Sequence, residues 1–165
     1  MFMKILGAVF IAILSLNVYS AQSNDNVLEF TNWGAPVCNV QLSVVVSNNV
    51  ITIDSMTILH CCIKNSSTNI VQFGDTGAPI YDSNVSLLDS SEKIFDLTPT
   101  NRFPRSIYMN ISVRINPEQT YEWKIPIHIQ KDFEFGTYKL KVKRIIWISG
   151  KRYDLESNLQ EVQIK

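Results

Sequence analysis

The segment from Phe135 to Ile164 shows the polar and apolar pattern of this chain most clearly. Leu140 and Val142 alternate with three lysines, Lys139, Lys141 and Lys143. A period of two residues is typical of a β-strand with one apolar and one charged face. A turn signal, Ser149-Gly150, separates this run from a second one. The segment therefore predicts the last hairpin of an antiparallel sandwich, in which one face covers a core and the other faces water.

The rest of the chain after residue 20 alternates short apolar runs with turn residues, and no segment shows a sustained period of 3.6 residues. We predict an all-β protein, an immunoglobulin-like antiparallel β-sandwich of roughly seven to nine strands. The candidate strands are Val40–Val46, Val50–Ile53, Met56–Lys64, Ile70–Phe73, Val85–Asp89, Ile94–Leu97, Ser106–Ile115, Tyr121–Ile129, Tyr138–Ile148 and Leu155–Ile164. The predicted core positions are Leu42, Val44, Leu59, Ile63, Ile125, Ile127, Leu140 and Val142.

Five short motifs follow one another in a familiar order: Trp33-Gly34-Ala35-Pro36-Val37, Val40-Gln41-Leu42-Ser43, Ile63-Lys64-Asn65-Ser66-Ser67, Gly136-Thr137-Tyr138 and Ser157-Asn158. This order resembles the immunoglobulin-like modules of exported bacterial proteins, where an Asn-x-Ser turn ends strand B and a Gly-x-Tyr opens strand F. It is similar, more distantly, to the Ig-fold proteinase-inhibitor family of bacteria. The motifs are turn and corner residues and carry no chemistry. The resemblance implies that Tyr138 is a tyrosine corner, which clamps the fold.

Residues 1–20 have the pattern of a signal peptide. Lys4 precedes an apolar run from Ile5 to Leu16. Val18 and Ser20 occupy the −3 and −1 positions of a small-residue cleavage site before Ala21. The apolar run is shorter than the roughly 20 residues that a membrane-spanning helix needs. We predict a signal peptide over 1–20, a polar lead-in over 21–32 and the sandwich domain over 33–165. The mature protein is expected to be secreted or periplasmic, without a stable membrane anchor.

The charge balance argues against a nucleic-acid partner. The chain has 15 Lys and Arg residues and 15 Asp and Glu residues, and removal of the signal peptide takes away Lys4 alone. Affinity for nucleic acid depends on many cations that neutralise phosphates, and a nearly neutral chain does not supply them. The sequence also contains no glycine-rich phosphate loop, no His-Glu-x-x-His and no Gly-x-Ser-x-Gly motif. We expect no nucleic-acid partner, no cofactor and no enzymatic activity.

The three cysteines, Cys38, Cys61 and Cys62, are an odd number, so at least one thiol is free or bonded to another molecule in an oxidising compartment. Parity places Cys38 and Cys61 on the core face and Cys62 on the outer face. Simple pairing of the strands around Val40 and Ile63 would place Cys38 nearer Asn65 than Cys61, although a bulge would shift that register. The sequence leaves open a disulfide from Cys38 to Cys61, one from Cys38 to Cys62, or none.

His60, Cys62 and His128 are the candidate metal ligands. All three are predicted to point outward, from two strands that are neighbours in an immunoglobulin-like sandwich. Two imidazoles and a thiol suit Zn or Cu if a fourth ligand exists, and the same groups suit a Cys-His nucleophile pair. The alternative, which we expect, is that the histidines are ordinary polar residues on a wet sheet face.

The candidate partner surfaces are a basic stripe and a loop. The stripe on the last hairpin contains Lys139, Lys141, Lys143, Arg144, Lys151 and Arg152, and it is either a guide for an acidic partner or a solvated face. The loop from Thr98 to Arg105 offers Arg102, Phe103 and Arg105. Trp33, Trp123 and Trp147 are candidate anchors, with Trp33-Gly34 also a candidate plug at one end of the sandwich.

These observations favour an exported, non-catalytic binding module that recognises another protein through its loops. One alternative is a proteinase inhibitor, which rests on the family resemblance and would offer Arg102 or Arg105 to a trypsin-like pocket. The other is a metal-binding envelope protein that uses His60, Cys62 and His128.

Overall fold

The computed structural model describes residues 29–75, 83–97, 111–131 and 133–165. These residues form eleven strands and no helix. The described ranges therefore contain no candidate membrane-spanning helix. The strands are β1 Val40–Val46, β2 Val50–Ile51, β3 Met56–Asn65, β4 Val71–Asp75, β5 Ser83–Leu88, β6 Ile94–Asp96, β7 Ile111–Ile115, β8 Thr120–His128, β9 Gly136–Ile148, β10 Lys151–Glu156 and β11 Gln160–Ile164.

The strands build two sheets. The smaller sheet has the order β1-β3-β8. The larger sheet has the order β2-β11-β9-β4-β7, with β10 and β5 also paired with β9, and with β6 paired with β5. The pairing is antiparallel except between β2 and β11, which run parallel. The predicted all-β sandwich is therefore confirmed, and the adjacency of β3 and β8 that the histidine hypothesis required is present.

The described residues hold more strands than the seven to nine predicted. Each of the ten candidate runs contains a strand, and the eleventh strand, β10, begins at Lys151, four residues before the last candidate run, Leu155–Ile164. The run of residues from Lys151 to Ile164 thus pairs with the whole length of β9 in two pieces.

The core lies between the two sheets and consists of the alternate, apolar residues of each strand. In β9 the buried positions alternate strictly with exposed or half-exposed ones from Tyr138 to Ile148. All eight predicted core residues are at most 1% exposed. The alternation therefore identified the inward face correctly at these eight positions.

The turn between β9 and β10 is tight. Ser149 and Gly150 both have positive φ, 50° and 79°, which is the backbone of a two-residue type I′ turn. Trp147 and Arg152, one residue inside the ladder from this turn, lie opposite each other and so share a face. The predicted hairpin is confirmed.

Asn158 joins the two sheets at one edge. Its side-chain oxygen accepts a hydrogen bond from the Val44 amide at 2.8 Å, and its side-chain nitrogen donates to the Val44 carbonyl at 3.2 Å. Ser157 binds the other sheet, since its hydroxyl and its amide both pair with the backbone of Val142. Asn158 therefore acts as a substitute peptide group that completes the hydrogen bonds of the β1 edge.

The segment before β1 lies along this same edge. The Gly34 amide donates to the Leu42 carbonyl, and the Ser43 hydroxyl donates to the Asn32 carbonyl. Only glycine fits at position 34, because a Cβ there would overlap the Glu156 carbonyl. Trp33 is half-buried and lies against Phe30, with 6.2 Å between ring centroids.

Asn65 and Tyr138 hold two further corners. Asn65 is fully buried, and its side chain donates to the carbonyls of Asn69 and Ile115 and accepts from the Ser67 amide and hydroxyl. The Tyr138 hydroxyl donates to the Glu134 carbonyl at 2.9 Å. The tyrosine corner expected at Tyr138 is thus present, and the Asn-x-Ser turn ends β3 as expected.

Replacing Asn158 by Ala should lower the free energy of unfolding by about 2–4 kcal/mol, because it leaves the buried amide and carbonyl of Val44 without partners. Urea unfolding followed by circular dichroism measures the change. Leu159→Ala is the matched control, since Leu159 is 49% exposed and should change stability by at most about 0.5 kcal/mol. A loss of stability for Asn158→Ala as small as that of the control would contradict the role of Asn158 in joining the two sheets.

Candidate functional site

The outer face of the larger sheet carries an exposed tryptophan. Trp147 is 39% exposed and Ile145 is 37% exposed, while Ile146 and Ile148 between and beyond them are buried. Trp147 lies opposite Arg152 on one side and Gln72 on the other. We call this surface, formed by Trp147, Ile145, Gln72, Arg152 and Lys143, the Trp147 face.

Four strands present one straight row of side chains across this face. Arg152, Trp147, Gln72 and Arg114 lie at successive register positions of β10, β9, β4 and β7. Neighbouring strands are about 4.8 Å apart, so the row extends on the order of 14 Å. It places two guanidinium groups at its ends, with an indole and an amide between them.

A pocket of about 100 Å³ lies on the same face. Its lining residues are Asn84, Lys143, Arg144, Ile145, Arg152 and Asp154. Trp147 does not line it, but two neighbours of Trp147 do: Arg152, which lies opposite it, and Ile145, two residues before it on β9. The register places Asn84 of β5 opposite Lys143, and Asp154 of β10 opposite Ile145. The pocket therefore spans three strands and forms where β5 and β10 flank β9.

The charges around the pocket are partly paired. Lys141 and Lys143 both contact the Glu156 carboxylate, with 2.5 Å between Lys143 Nζ and Glu156 Oε1. These two lysines hold the pKa of Glu156 below its ordinary value. Arg152 lies 3.6 Å from the Asp154 carboxylate. The predicted basic stripe is thus interrupted by carboxylates from β10.

Arg144 does not belong to the stripe, and this corrects the prediction. It occupies an inward position between Val142 and Ile146 and is 2% exposed. Its guanidinium carbon lies 4.4 Å from the Phe73 ring centre and 4.7 Å from that of Trp123. The guanidinium donates to the Gly74 carbonyl. Parity alone places residue 144 inward, but the run of cations along the hairpin had suggested the outer face.

The Arg144 guanidinium also donates to the Ser83 hydroxyl at 3.3 Å. On one side of β9 the neighbouring strand changes from β4 to β5. We call the place where it changes, between Gly74 of β4 and Ser83 of β5, the fork. One buried cation therefore holds both sides of this fork. Its attraction for the aromatic rings and its hydrogen bonds offset the cost of removing its charge from water.

The structure does not bring His60, Cys62 and His128 together. His60 lies opposite Lys124, whereas His128 lies opposite Met56, four residues further along β3. At about 3.4 Å per residue, the two histidines are on the order of 13 Å apart along the strand, far beyond joint metal coordination. Within the described ranges, no group of three His, Cys, Asp or Glu side chains is placed to hold a metal ion. His128 instead lies 3.5 Å from Asp54.

All three cysteines are free thiols. The prediction that Cys38 lies on the core face is wrong. Cys38 is exposed because it lies with Asn39 in a two-residue turn, with φ values of 50° and 62°. Reciprocal hydrogen bonds between Val37 and Val40 close this turn. Val40 lies opposite Asn65, so Cys38 lies beyond the end of β3 and away from Cys61. A hydrogen bond with Cys38 raises the pKa of Tyr153.

Cys61 and Cys62 are both buried, on opposite faces of β3. Burial raises the pKa of Cys61 to about 12, against the lowering effect of the Arg144 guanidinium. Burial also raises the pKa of Cys62 to about 12, with a contribution from the Glu122 carboxylate. Cys62 was expected on an exposed face. It is buried beside Ser43, which lies opposite it in β1 and donates a hydrogen bond to the Asn32 carbonyl of the segment before β1.

The loop residues Arg102, Phe103 and Arg105 lie outside the described residues, as does the segment 1–20. The residues that sequence reasoning missed are Gln72, Asn84, Ile145 and Asp154. Parity in β9 places Ile145 outward beside Trp147, so that pair was detectable. Gln72, Asn84 and Asp154 reach the site through cross-strand register, which the sequence does not specify.

No family model matches the chain, and no curated protein matches it. Among solved structures, the sporulation control protein Spo0M from Bacillus subtilis is 9% identical with a TM-score of 0.48, and the match covers 78% of this chain and 50% of that one. The C-terminal domain of wzt is 13% identical with a TM-score of 0.47, covering 81% and 77%. The CARDB domain of the PF1109 protein from Pyrococcus furiosus is 10% identical with a TM-score of 0.43, covering 89% and 98%.

This chain thus spans half the length of Spo0M. Likeness at such identities concerns the fold alone, and TM-scores below 0.5 carry no argument about function. The resemblance to the bacterial proteinase-inhibitor family stays a prediction.

Iodoacetamide at pH 8 should label Cys38 in the folded protein and leave Cys61 and Cys62 unmodified. The reason is that the thiolate is the reactive form, and both buried thiols have a pKa of about 12. Mass spectrometry of peptides measures each site, and labelling in denaturant, where all three react, is the control. Equal labelling of Cys61 and Cys38 in the folded state would contradict the burial.

Proposed function

We propose that this protein is an exported, non-catalytic recognition module that binds another protein through the Trp147 face. The single observation that carries the proposal is the exposure of Trp147 beside Ile145 on a strand whose alternate residues are buried. Tryptophan and arginine are enriched among the residues that dominate binding energy at interfaces. Trp147 and Arg152 lie directly opposite each other here.

The rigidity of the face supports this proposal. The backbone on both sides of Trp147 is anchored in the core by Ile146 and Ile148, which are 0% and 5% exposed. A preorganised surface loses little conformational entropy when it binds a partner. The sequence pointed to loops as the recognition elements, whereas the described residues offer the sheet face.

Arg114, at the end of the row that is distant from the pocket, favours an acidic group at the rim of the partner surface. Arg152 and Arg114 end the row that contains Trp147, and Lys143 borders the pocket. Complementary charge at a rim raises the rate of association and selects among partners. The pairing of Lys143 with Glu156 reduces its contribution.

One observation argues against a thiol nucleophile at Cys61 or Cys62, and another supports export. Cys61 and Cys62 are protonated at neutral pH, because burial raises the pKa of each to about 12, and a protonated thiol is a poor nucleophile. Residues 1–20 have the charge, length and cleavage signals of a secretory signal peptide.

Replacing Trp147 by Ala should weaken binding to the physiological partner at least about ten-fold, because it removes the largest apolar contact of the face. The partner is captured from the extracytoplasmic fraction, purified, and titrated by biolayer interferometry. Met56→Ala is the matched control, since Met56 is 69% exposed on the outer face of the smaller sheet. Unchanged affinity for Trp147→Ala, or an equal loss for both variants, would place the recognition surface elsewhere.

The export proposal predicts a new N-terminus at Ala21 after cleavage behind Ser20. Expression of the whole chain in a bacterial host, followed by mass spectrometry of the extracytoplasmic fraction, measures the terminus. Val18→Lys should block cleavage, because it places a large charged residue at a small-residue position. Recovery of the uncleaved chain in the cytoplasm would contradict export.

A further inference from the structure

The pocket beside Trp147 has a mixed set of hydrogen-bonding groups. Arg152 and Lys143 are donors, the Asp154 carboxylate is an acceptor, and the Asn84 amide is both. Their side chains converge on a space of about 100 Å³ from three neighbouring strands. A ligand that satisfies this set must itself offer donors and acceptors close together.

A simple anion does not match these groups. Asp154 lines the pocket and lies 3.6 Å from Arg152, so its negative charge opposes an incoming carboxylate or phosphate. Lys143 already contacts Glu156 at 2.5 Å. Hydroxyl groups fit better, because each one donates to a carboxylate and accepts from a guanidinium or ammonium group.

The apolar side of the pocket also restricts the class of ligand that fits. Ile145 lines it, and Trp147 follows on the same face of β9. The face of an indole ring carries partial negative charge. The C–H bonds on the flat side of a pyranose ring are polarised by the ring oxygen and hydroxyl groups, so they are attracted to such a face. An uncharged sugar ring therefore matches both halves of the site.

We propose that the pocket and Trp147 together bind a pyranose ring of an uncharged glycan. The ring lies against the indole of Trp147, and its adjacent hydroxyls bind Asp154, Arg152 and Asn84. This inference rests on the proposed recognition function and names the chemistry recognised at that site. The glycan is carried on a protein partner or belongs to a free polysaccharide, and both sources present the same ring.

The test titrates the purified protein with four neutral oligosaccharides: cellohexaose, maltohexaose, chitohexaose and mannohexaose. Saturation-transfer NMR and tryptophan fluorescence report binding, and at least one of them should bind with a dissociation constant below about 10 mM. Trp147→Ala should weaken that binding at least about ten-fold, and Trp147→Phe should retain part of it, because the phenyl ring keeps an aromatic face. Met56→Ala should leave it unchanged.

The Asp154→Ala variant distinguishes a sugar ligand from an anionic ligand, because it should weaken binding of the sugar and strengthen binding of the anion. It removes an acceptor for hydroxyls, so sugar binding should weaken several-fold. It also removes a negative charge, so binding of an acidic probe, hexaglutamate, should strengthen if that probe uses the pocket. Failure of all four oligosaccharides at about 10 mM, or binding of hexaglutamate in their place, overturns the proposal.

The source of the sugar is decided with the partner used to test the recognition function. Loss of partner binding after enzymatic deglycosylation assigns the ring to a glycoprotein. Binding of an oligosaccharide with no glycosylated partner assigns it to a free polysaccharide, and this outcome keeps the sugar site but rejects a protein as the partner. A partner that depends on Trp147 but is insensitive to deglycosylation, with no oligosaccharide bound, rejects the sugar and keeps the recognition function. Independence from Trp147 in every assay rejects both.

Discussion

The side chain of Asn158 makes with the Val44 backbone the two hydrogen bonds that a strand would otherwise make. This contact lies where a sandwich is weakest, at the open edge between its sheets, and both backbone groups are buried. An unpaired buried amide or carbonyl costs about 1–3 kcal/mol. The larger sheet uses the same corner, because Ser157, between β10 and β11, makes two hydrogen bonds with the backbone of Val142 where the ladder is interrupted.

β9 extends along the full length of the larger sheet and pairs with two strands on each side, β10 and β11 on one and β4 and β5 on the other. On its second side the neighbour changes from β4 to β5, and the fork between them is filled by the Arg144 side chain. A buried cation is costly unless its hydrogen bonds are satisfied. Here the rings of Phe73 and Trp123 enclose the guanidinium, so one side chain connects the fork to both sheets. The pocket on the outer face lies directly behind this fork.

Periodicity made part of this fold predictable from the sequence, whereas the features that depend on register between strands were missed. Alternation placed Leu140 and Val142 inside, and turn chemistry placed the hairpin at Ser149-Gly150, since both signals are local. The four-residue offset between His60 and His128 depends on pairing between strands that are distant in sequence, and a single strand does not encode its offset from a neighbour. Arg144 was misplaced for a related reason, because a charged residue at an inward position is acceptable only if aromatic and polar partners surround it. Those partners come from β4, β5 and β8.

The alternation that builds the core also fixes the candidate recognition surface. Ile146 and Ile148 are buried, so Trp147 must point outward, and a slip of one residue would bury the tryptophan and expose both isoleucines. The free energy that stabilises the sandwich therefore also positions the indole. Arg152 and Gln72 are brought to its sides by ladder hydrogen bonds and need no flexible loop. A surface built this way is rigid but shallow, so its selectivity has to come from the arrangement of donors, acceptors and the single ring. For that reason, changes at Trp147 and Asp154, whose side chains point away from the core, can alter binding while the fold is retained.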